Sequence, residues 1–518
     1  MPYSSKSGKA WIERLVMRFI TICDHDSILD VGAGAGTYSD LFRARLPHTH
    51  FTALEIWEPY HSTFQLASKY DVLRTDDVRT FTPEKRYGIT FLGDVLEHMT
   101  KGEALEVYEK LLAASDFVFI SIPIIKYPQD SYMGNPYEKH VKDDWTHEEV
   151  LATFPHIAFS HVEQEIGAYV GVNPNTQSLD TVTKLYGPKI AVYALFDDNE
   201  ADLGAFLHSV KAADQIVLCD TGSTDGSNEV VARFQANNPD VNLSVYPICV
   251  TPFRFDDARN TCLSLVSPEI DLCVALHANE TLMEGWRDLL AAHWTYESPR
   301  YRYMVKKIGP EQRFTVKWHD WIHSRRGYTW KLPIHEVLQP NDPEQVTSIA
   351  DLWVYRKEHN RRSHENDIPM LEQSLKEFGN YWKTWSYLAA EYMHNNRQME
   401  ALQAVNRALA LPGNDSAYLY QLQFSIFREL GSVDQALLSL NNAISHLPNR
   451  REPHYIKAMY MHQLGRHLEA FLALKEAETK TERVFDDHDH PAAWDEEFEQ
   501  WKAKLWSLSG IEGGNASE

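Results

Sequence analysis

Two stretches of the 518-residue chain set glycines, carboxyl groups and histidines at the ends of apolar runs, where side chains and bare backbone can meet a ligand. In the first, Ser27–Val31 reads as a strand, Gly32-Ala33-Gly34-Ala35-Gly36 as a sharp turn and residues 37–46 as a helix. Glycines are needed where a chain turns sharply out of a strand and a ligand lies against the backbone. Alone, this turn suits any dinucleotide or phosphate site. Two further features narrow it. Phe51–Glu55 reads as a second strand whose terminal acid, Glu55, is placed to accept both ribose hydroxyls, and Asp76-Asp77 falls where an adenine amine is read. A later strand in ITFLGDVLEHM brings Asp94, Glu97 and His98. A histidine suits removal of a proton near neutral pH. His98 follows that strand, and His140 sits in the polar segment GNPYEKHVKDDW, so both are candidate bases, with a purely structural role as the alternative for each.

The second stretch begins with the strand Ile190–Leu195, followed by Asn199-Glu200. Gln215–Cys219 is a strand running into DTGSTDGS, which carries Asp220, Ser223 and Asp225. Small residues and acids at a strand end can hold a base and a ribose. Arg254, Arg259 and Asn260 follow in RFDDARN, and cationic and amide groups of this kind suit a diphosphate. The strand Leu272–Leu276 then leads into His277-Ala278-Asn279-Glu280. Further on, HDWIHSRRGYTWKLPIHEVL supplies Asp320, His335 and Glu336 as candidate groups near an acceptor. It also supplies Trp321, Tyr328 and Trp330, which with Trp318 either stack on sugar faces or pack a seam.

The elements that position these groups fall into blocks. Residues 1–172 alternate apolar runs with helical patterns, 173–187 are polar and read as a linker, and 188–360 alternate again. Residues 361–482 are purely helical, and 483–518 read as an acidic helix and a frayed tail. In the helical block Ala401, Ala436 and Ala470 recur at a spacing of 34 or 35 residues, as do Ala408, Ala443 and Ala477. Small residues at a fixed period let paired helices approach closely. The fold class expected is multidomain α/β followed by an all-α array.

Composition removes other classes. The 50 basic and 73 acidic residues leave a formal charge of −23, which repels nucleic-acid phosphates, so DNA is a poor partner. No apolar run reaches the roughly 18–20 residues that span a bilayer, and no leader is expected. The five cysteines form no C-x-x-C pair and read as reduced thiols of a cytoplasmic protein.

The motifs DVGAGAGTYS, ALEIWEP, RTDDVRTF and LGDVLEHM together resemble the class I S-adenosylmethionine-dependent methyltransferases, over about residues 20–172. A nicotinamide dehydrogenase accounts for the first turn but not for GDVLEHM. The resemblance implies that Asp30, Gly32, Gly34, Gly36, Glu55, Asp77 and Asp94 bind S-adenosylmethionine. DTGSTDGS, FDDARN and the HDWIHSRRGY segment resemble family-two glycosyltransferases of the GT-A fold, in the branch that carries tetratricopeptide repeats. Trp385, Leu388, Tyr392, Ala401, Val405 and Ala408 fit the repeat consensus. That resemblance implies a nucleotide-sugar donor, a UDP-sugar, held by Asn199, Glu200, Asp220, Ser223, Asp225, Arg254, Arg259 and Asn260.

The family's Asp-x-Asp-Glu is replaced here by His277-Ala278-Asn279-Glu280. Three readings follow. His277, Asn279, Glu280 and His335 hold a divalent metal, Mn²⁺ rather than Mg²⁺; or Arg254 and Arg259 neutralise the diphosphate without one; or the domain binds without transferring. The expectation is a cytoplasmic bifunctional transferase that glycosylates and methylates one product. Its acceptor would be a glycan, a protein or a nucleotide, with a protein partner on the repeats. A non-catalytic scaffold and a phage-type enzyme modifying nucleotides or DNA bases, acting in a host cytoplasm, are the alternatives.

Overall fold

The computed structural model describes residues 4–132, 134–308, 314–357, 367–486 and 488–510. The chain divides into two compact units, residues 1–187 and 188–518. The expected frayed tail beyond Gly510, and the boundary expected at 360, lie outside the described residues.

The first unit is built on strands β1 (Ser27–Val31), β2 (His50–Leu54), β3 (Val72–Arg74), β4 (Tyr87–Gly93), β5 (Ser115–Pro123), β6 (Ile157–Glu163) and β7 (Ile166–Val172). Their order is β3-β2-β1-β4-β5-β7-β6. The first five are parallel, and β7 pairs antiparallel with both β5 and β6. β1, β4 and β7 are buried along their whole length, which is why they read as apolar runs rather than alternating ones. The sheet leaves β1 for β2 on one side and for β4 on the other. A crevice therefore opens at the carboxyl ends of β1 and β4, the usual place for a ligand.

Residues 173–187 are not a bare linker. They carry the helix Leu179–Tyr186, with Val182 wholly buried. From the helix Lys9–Phe19, Arg14 donates to the carbonyls of Tyr186 and Gly187, and Arg18 to those of Leu185 and Gly187. The helix is short, with Leu179, Val182 and Tyr186 at helical spacing among polar residues, and the arginines that bond its end lie some 170 residues earlier.

The second unit begins with β8 (Ile190–Phe196), β9 (Gln215–Asp220), β10 (Leu243–Pro247), β11 (Leu272–His277) and β12 (Glu280–Leu282). It continues with β13 (Arg300–Ile308), β14 (Phe314–Ser324), β15 (Tyr328–Lys331), β16 (Val337–Pro340) and β17 (Val346–Lys357). The main sheet runs β10-β9-β8-β11-β14-β13-β17-β12, and β15 pairs with β16. β10, β9, β8 and β11 are parallel, and the chain switches direction between β8 and β11.

Seven helices follow between Asp367 and Glu478. Ala401, Ala408, Ala436, Ala443, Ala470 and Ala477 are all fully buried where neighbouring helices meet. Asn396, Gly431 and Gly465, also 34 or 35 residues apart, all have positive φ and end a helix. The next residue in each case donates its N–H back to the carbonyl of Tyr392, Phe427 or Met461. This left-handed cap closes each turn in the same way.

Candidate functional site

A cavity of about 350 Å³ lies at the crevice of the first unit. Gly32 and Gly34 form part of its floor with φ of 65° and 49°, and Gly36, at φ 83°, closes the turn behind them. A Cβ at Gly32 would stand 2.8 Å from Val95 Cγ2, so here glycine is required by space as well as by conformation. The Gly34 N–H donates to Glu55 Oε2 at 2.8 Å, and the Trp57 N–H donates to Oε1 at 2.9 Å. These bonds fix Glu55 at the carboxyl end of β2 with lone pairs still available. Burial pushes its carboxyl up, opposed by those two backbone donors.

Asp30 is buried and accepts from the Tyr70 hydroxyl. Burial pushes it up to about 7, the Tyr70 bond opposes this, the Glu55 charge adds to it and Lys9 reduces it. Asp94 follows β4 at φ 55° and accepts from the Ser4 hydroxyl. Lys9, itself buried, donates to Tyr38 at 3.0 Å and to Ser121 at 3.2 Å. Tyr38 stacks on Phe91 at 4.0 Å. Asp77 lines the wall, held by Arg79 at 2.6 Å, which keeps its carboxyl below the usual range.

Six of the seven residues expected around this turn line one cavity; the seventh, Gly36, lies behind it against Lys69. Its lining includes Asp30, Glu55, Asp76, Asp77, Asp94 and Glu138 against Arg79 and Lys139. Sequence reasoning missed Lys9, Tyr60 and Glu138. Nothing local marks Lys9, but the segment containing Glu138 had been singled out for His140.

A second cavity, of about 320 Å³, shares Asp94 and His98 with the first and adds Glu97 and His140. His98 Nδ1 donates to the Lys139 carbonyl at 3.1 Å, and His140 Nδ1 donates to the Tyr127 carbonyl at 2.6 Å. The rings meet edge to face at 4.9 Å. Burial lowers the pKa of each, so both imidazoles are neutral at pH 7, with the lone pair on Nε2.

In the second unit the carboxyl groups of the acidic loop serve mostly as internal ties. Asp220 accepts from the N–H groups of Gly222 and Ser223 and from the Asn228 side chain. Asp225 accepts from the Glu200 N–H, and Glu200 in turn from the Gly226 N–H. Asn199 accepts from the Asp197 N–H, and the Ser223 hydroxyl oxygen accepts from the Asp198 N–H.

Arg254, Arg259 and Asn260 do not come together as a diphosphate cradle. Arg254 is ion-paired with Asp256 and Glu377. Arg259 is 1% exposed, pairs with Glu336 at 2.7 Å and lies over the Trp321 and Trp330 rings at 4.6 and 5.1 Å. Asn260 both donates to and accepts from the Trp330 backbone. Trp321 and Trp330 thus pack around a buried cation rather than opening onto a sugar.

The expected metal set is also separated. His277, Glu280 and His335 do not converge to ligand distances among the described residues. His277 Nδ1 is 3.4 Å from Arg259, Glu280 is 3.7 Å from Arg356, Asn279 donates to the Lys357 carbonyl, and His335 stacks on Tyr387 at 3.9 Å. Guanidinium groups already supply the positive charge there, and they repel a further cation. Asp320 pairs with Arg300 at 3.1 Å.

No family model matches the chain, and no curated protein matches it. Among solved structures the chain is similar to the N-terminal domain of EvdMO1 with SAH bound, at 16% identity and a TM-score of 0.26, covering 33% of this chain and 82% of that one. It is similar to the pyocyanin biosynthetic protein PhzM at 18% identity and a TM-score of 0.23, covering 32% and 56%. For MamA the values are 17%, 0.21, 27% and 82%. Likenesses this slight assign neither fold nor function, which rest on the geometry.

Two outcomes follow from these environments. Asp30 titrates above its ordinary 3.8, so its protonated form supports the fold below about pH 4 and that support is lost as the pH rises through about 7. Asp30→Asn cannot ionise. Between pH 5 and 7 the wild type loses stability relative to the variant by on the order of 1 kcal/mol per pH unit, read from denaturant midpoints; parallel profiles contradict this. Glu336→Ala strands the buried Arg259 guanidinium and costs about 3–5 kcal/mol of stability. Unchanged urea unfolding would instead leave Glu336 free for a role in chemistry.

Proposed function

We propose that the first unit binds S-adenosylmethionine and transfers its methyl group to an acceptor hydroxyl. The observation that carries this reading is the charge of the cavity. Six carboxyl-bearing residues face it, against two cationic side chains. A pyrophosphate-bearing dinucleotide is repelled by such a wall, whereas a nucleoside carrying a sulfonium and an ammonium is drawn to it. Cofactor and cavity fit on three points. Bare backbone stands at Gly32 and Gly34, Glu55 has lone pairs for two ribose hydroxyls, and the volume lies in the range of small-molecule sites.

When bound, S-adenosylmethionine supplies a methyl group on a sulfonium, which an acceptor oxygen displaces in line. The chain's own residues do the rest. Glu55 fixes the ribose, Asp77 and Val78 border the adenine side, and Asp94, together with the ionised form of Asp30, offsets positive charge near the glycine turn. His98 borders both cavities and His140 the second, as neutral imidazoles able to govern the acceptor's proton. Product release is favoured by the same charge pattern, since the demethylated cofactor has lost its sulfonium charge.

A second reading concerns the second unit, where we infer nucleotide-sugar binding and glycosyl transfer. It is supported by the placement of Asn199, Asp220 and His277 at or just beyond the carboxyl ends of β8, β9 and β11, beside the reversal of strand order. The arginines around Glu280 and His277 favour the metal-free and binding-only versions over a metal-dependent one. On this reading one chain joins two group transfers, with a glycan or other hydroxyl-bearing molecule as shared acceptor and the helical array as a partner surface. A cytoplasmic setting fits the reduced thiols; among the described residues no helix is long and apolar enough to cross a membrane.

Calorimetry on the intact chain tests both readings. S-adenosylmethionine binds one equivalent, and Glu55→Ala weakens it at least tenfold. A UDP-sugar binds independently, with no gain from added Mn²⁺. Unchanged S-adenosylmethionine affinity in Glu55→Ala contradicts the first reading, and absence of UDP-sugar binding contradicts the second.

A further inference from the structure

The junction of the two cavities is built more elaborately than a single general base requires. Glu97, His98 and His140 each present one donor atom, and these atoms lie within 4.8 Å of one another. Glu97 is 2% exposed, and its Oε2 has no hydrogen-bond partner. A buried carboxylate oxygen left without a donor is costly unless something fills the gap. Both histidines have Nδ1 engaged by a backbone carbonyl, which fixes ring orientation and leaves Nε2 as the donor atom. That is how metal-binding imidazoles are usually held from behind.

The backbone is locked around the same point. The N–H groups of Val141 and Lys142 donate to the Glu97 carbonyl at 2.8 and 3.0 Å, and the His140 N–H donates to the Gln129 carbonyl at 2.9 Å. These bonds tie the segment bearing His140 to the turn bearing Glu97 and His98. The three donors are therefore positioned before any ligand arrives.

We propose that Glu97, His98 and His140 bind a divalent first-row metal ion at the boundary between the donor and acceptor cavities, where it coordinates the acceptor hydroxyl. This rests on the methyl-transfer reading of the first unit. Two imidazoles and one carboxylate suit Mn²⁺, Co²⁺ or Zn²⁺, and three protein ligands leave positions open for an acceptor oxygen. Coordination makes the hydroxyl easier to deprotonate. The proton passes to solvent, the oxygen forms its bond to the methyl carbon, the carbon–sulfur bond breaks, and its electron pair stays on sulfur. His98 and Asp94 border both cavities, which places such an ion beside the methyl donor rather than remote from it.

The test uses the intact chain stripped with chelator and titrated with Mn²⁺, followed by electron paramagnetic resonance. One tightly held equivalent is expected at this site, with nitrogen hyperfine coupling from imidazole. Glu97→Gln and His140→Ala should each weaken that binding at least tenfold, with thermal melting as the control for folding. If Glu97→Gln does not fold, His140→Ala carries the test, because its side chain is only half-buried. No bound Mn²⁺, or wild-type affinity and coupling in His140→Ala, overturns the proposal. S-adenosylmethionine binding measured on the same wild-type sample separates the two claims. Uptake of the nucleoside without Mn²⁺ sinks the metal site alone, and uptake of Mn²⁺ without the nucleoside sinks the methyl-transfer reading.

Discussion

Carboxyl groups gathered against bare backbone at the ends of β1, β2 and β4 are the constraint on which the first unit turns. Buried acids are costly to ionise, and the fold limits that cost with internal donors: Tyr70 to Asp30, the Gly34 and Trp57 amides to Glu55, Ser4 to Asp94, Arg79 to Asp77. Those donors do not cancel the negative potential of the cavity. A cationic ligand completes it, and the glycine turn lets such a ligand approach without a side chain in the way.

The second unit solves the opposite problem. At its strand ends a deeply buried charge is a cation, Arg259, enclosed by Glu336, Trp321 and Trp330 and tied to the Leu276 carbonyl at the end of β11. Groups that resemble donor-binding residues in sequence are here committed to one another. Asn260 holds β15 by its Trp330 backbone, and Arg254 reaches Glu377 in the helical array. The acidic loop after β9 is likewise stiffened by its own carboxylates. Stiff loops at strand ends are suited to presenting backbone to a ligand, even where the side chains are engaged.

What the sequence made legible was local. Strand β1 was readable to the residue, because a fully buried parallel strand is one apolar run cut off by glycine. The helical array was readable because small residues recur with the period of its packing. The helix Leu179–Tyr186 reads as linker although Leu179, Val182 and Tyr186 stand at helical spacing, because the segment is short and otherwise polar; only the hold of Arg14 and Arg18 on it, from far upstream, was hidden. The fate of Arg259 was illegible for the same reason: its type suggests an anion site, and only the distant Trp321, Trp330 and Glu336 show it to be enclosed. His98 and His140 stood out separately by residue type, but that Glu97 joins them was hidden in the folding of the segment around residues 127–142.

The central claim is that the acid-lined cavity selects a positively charged nucleoside. Competitive equilibrium binding of S-adenosylmethionine and NAD⁺ to the intact chain tests it most directly. The account predicts saturable uptake of S-adenosylmethionine that a large excess of NAD⁺ fails to displace; displacement by NAD⁺, or uptake of neither, would contradict it.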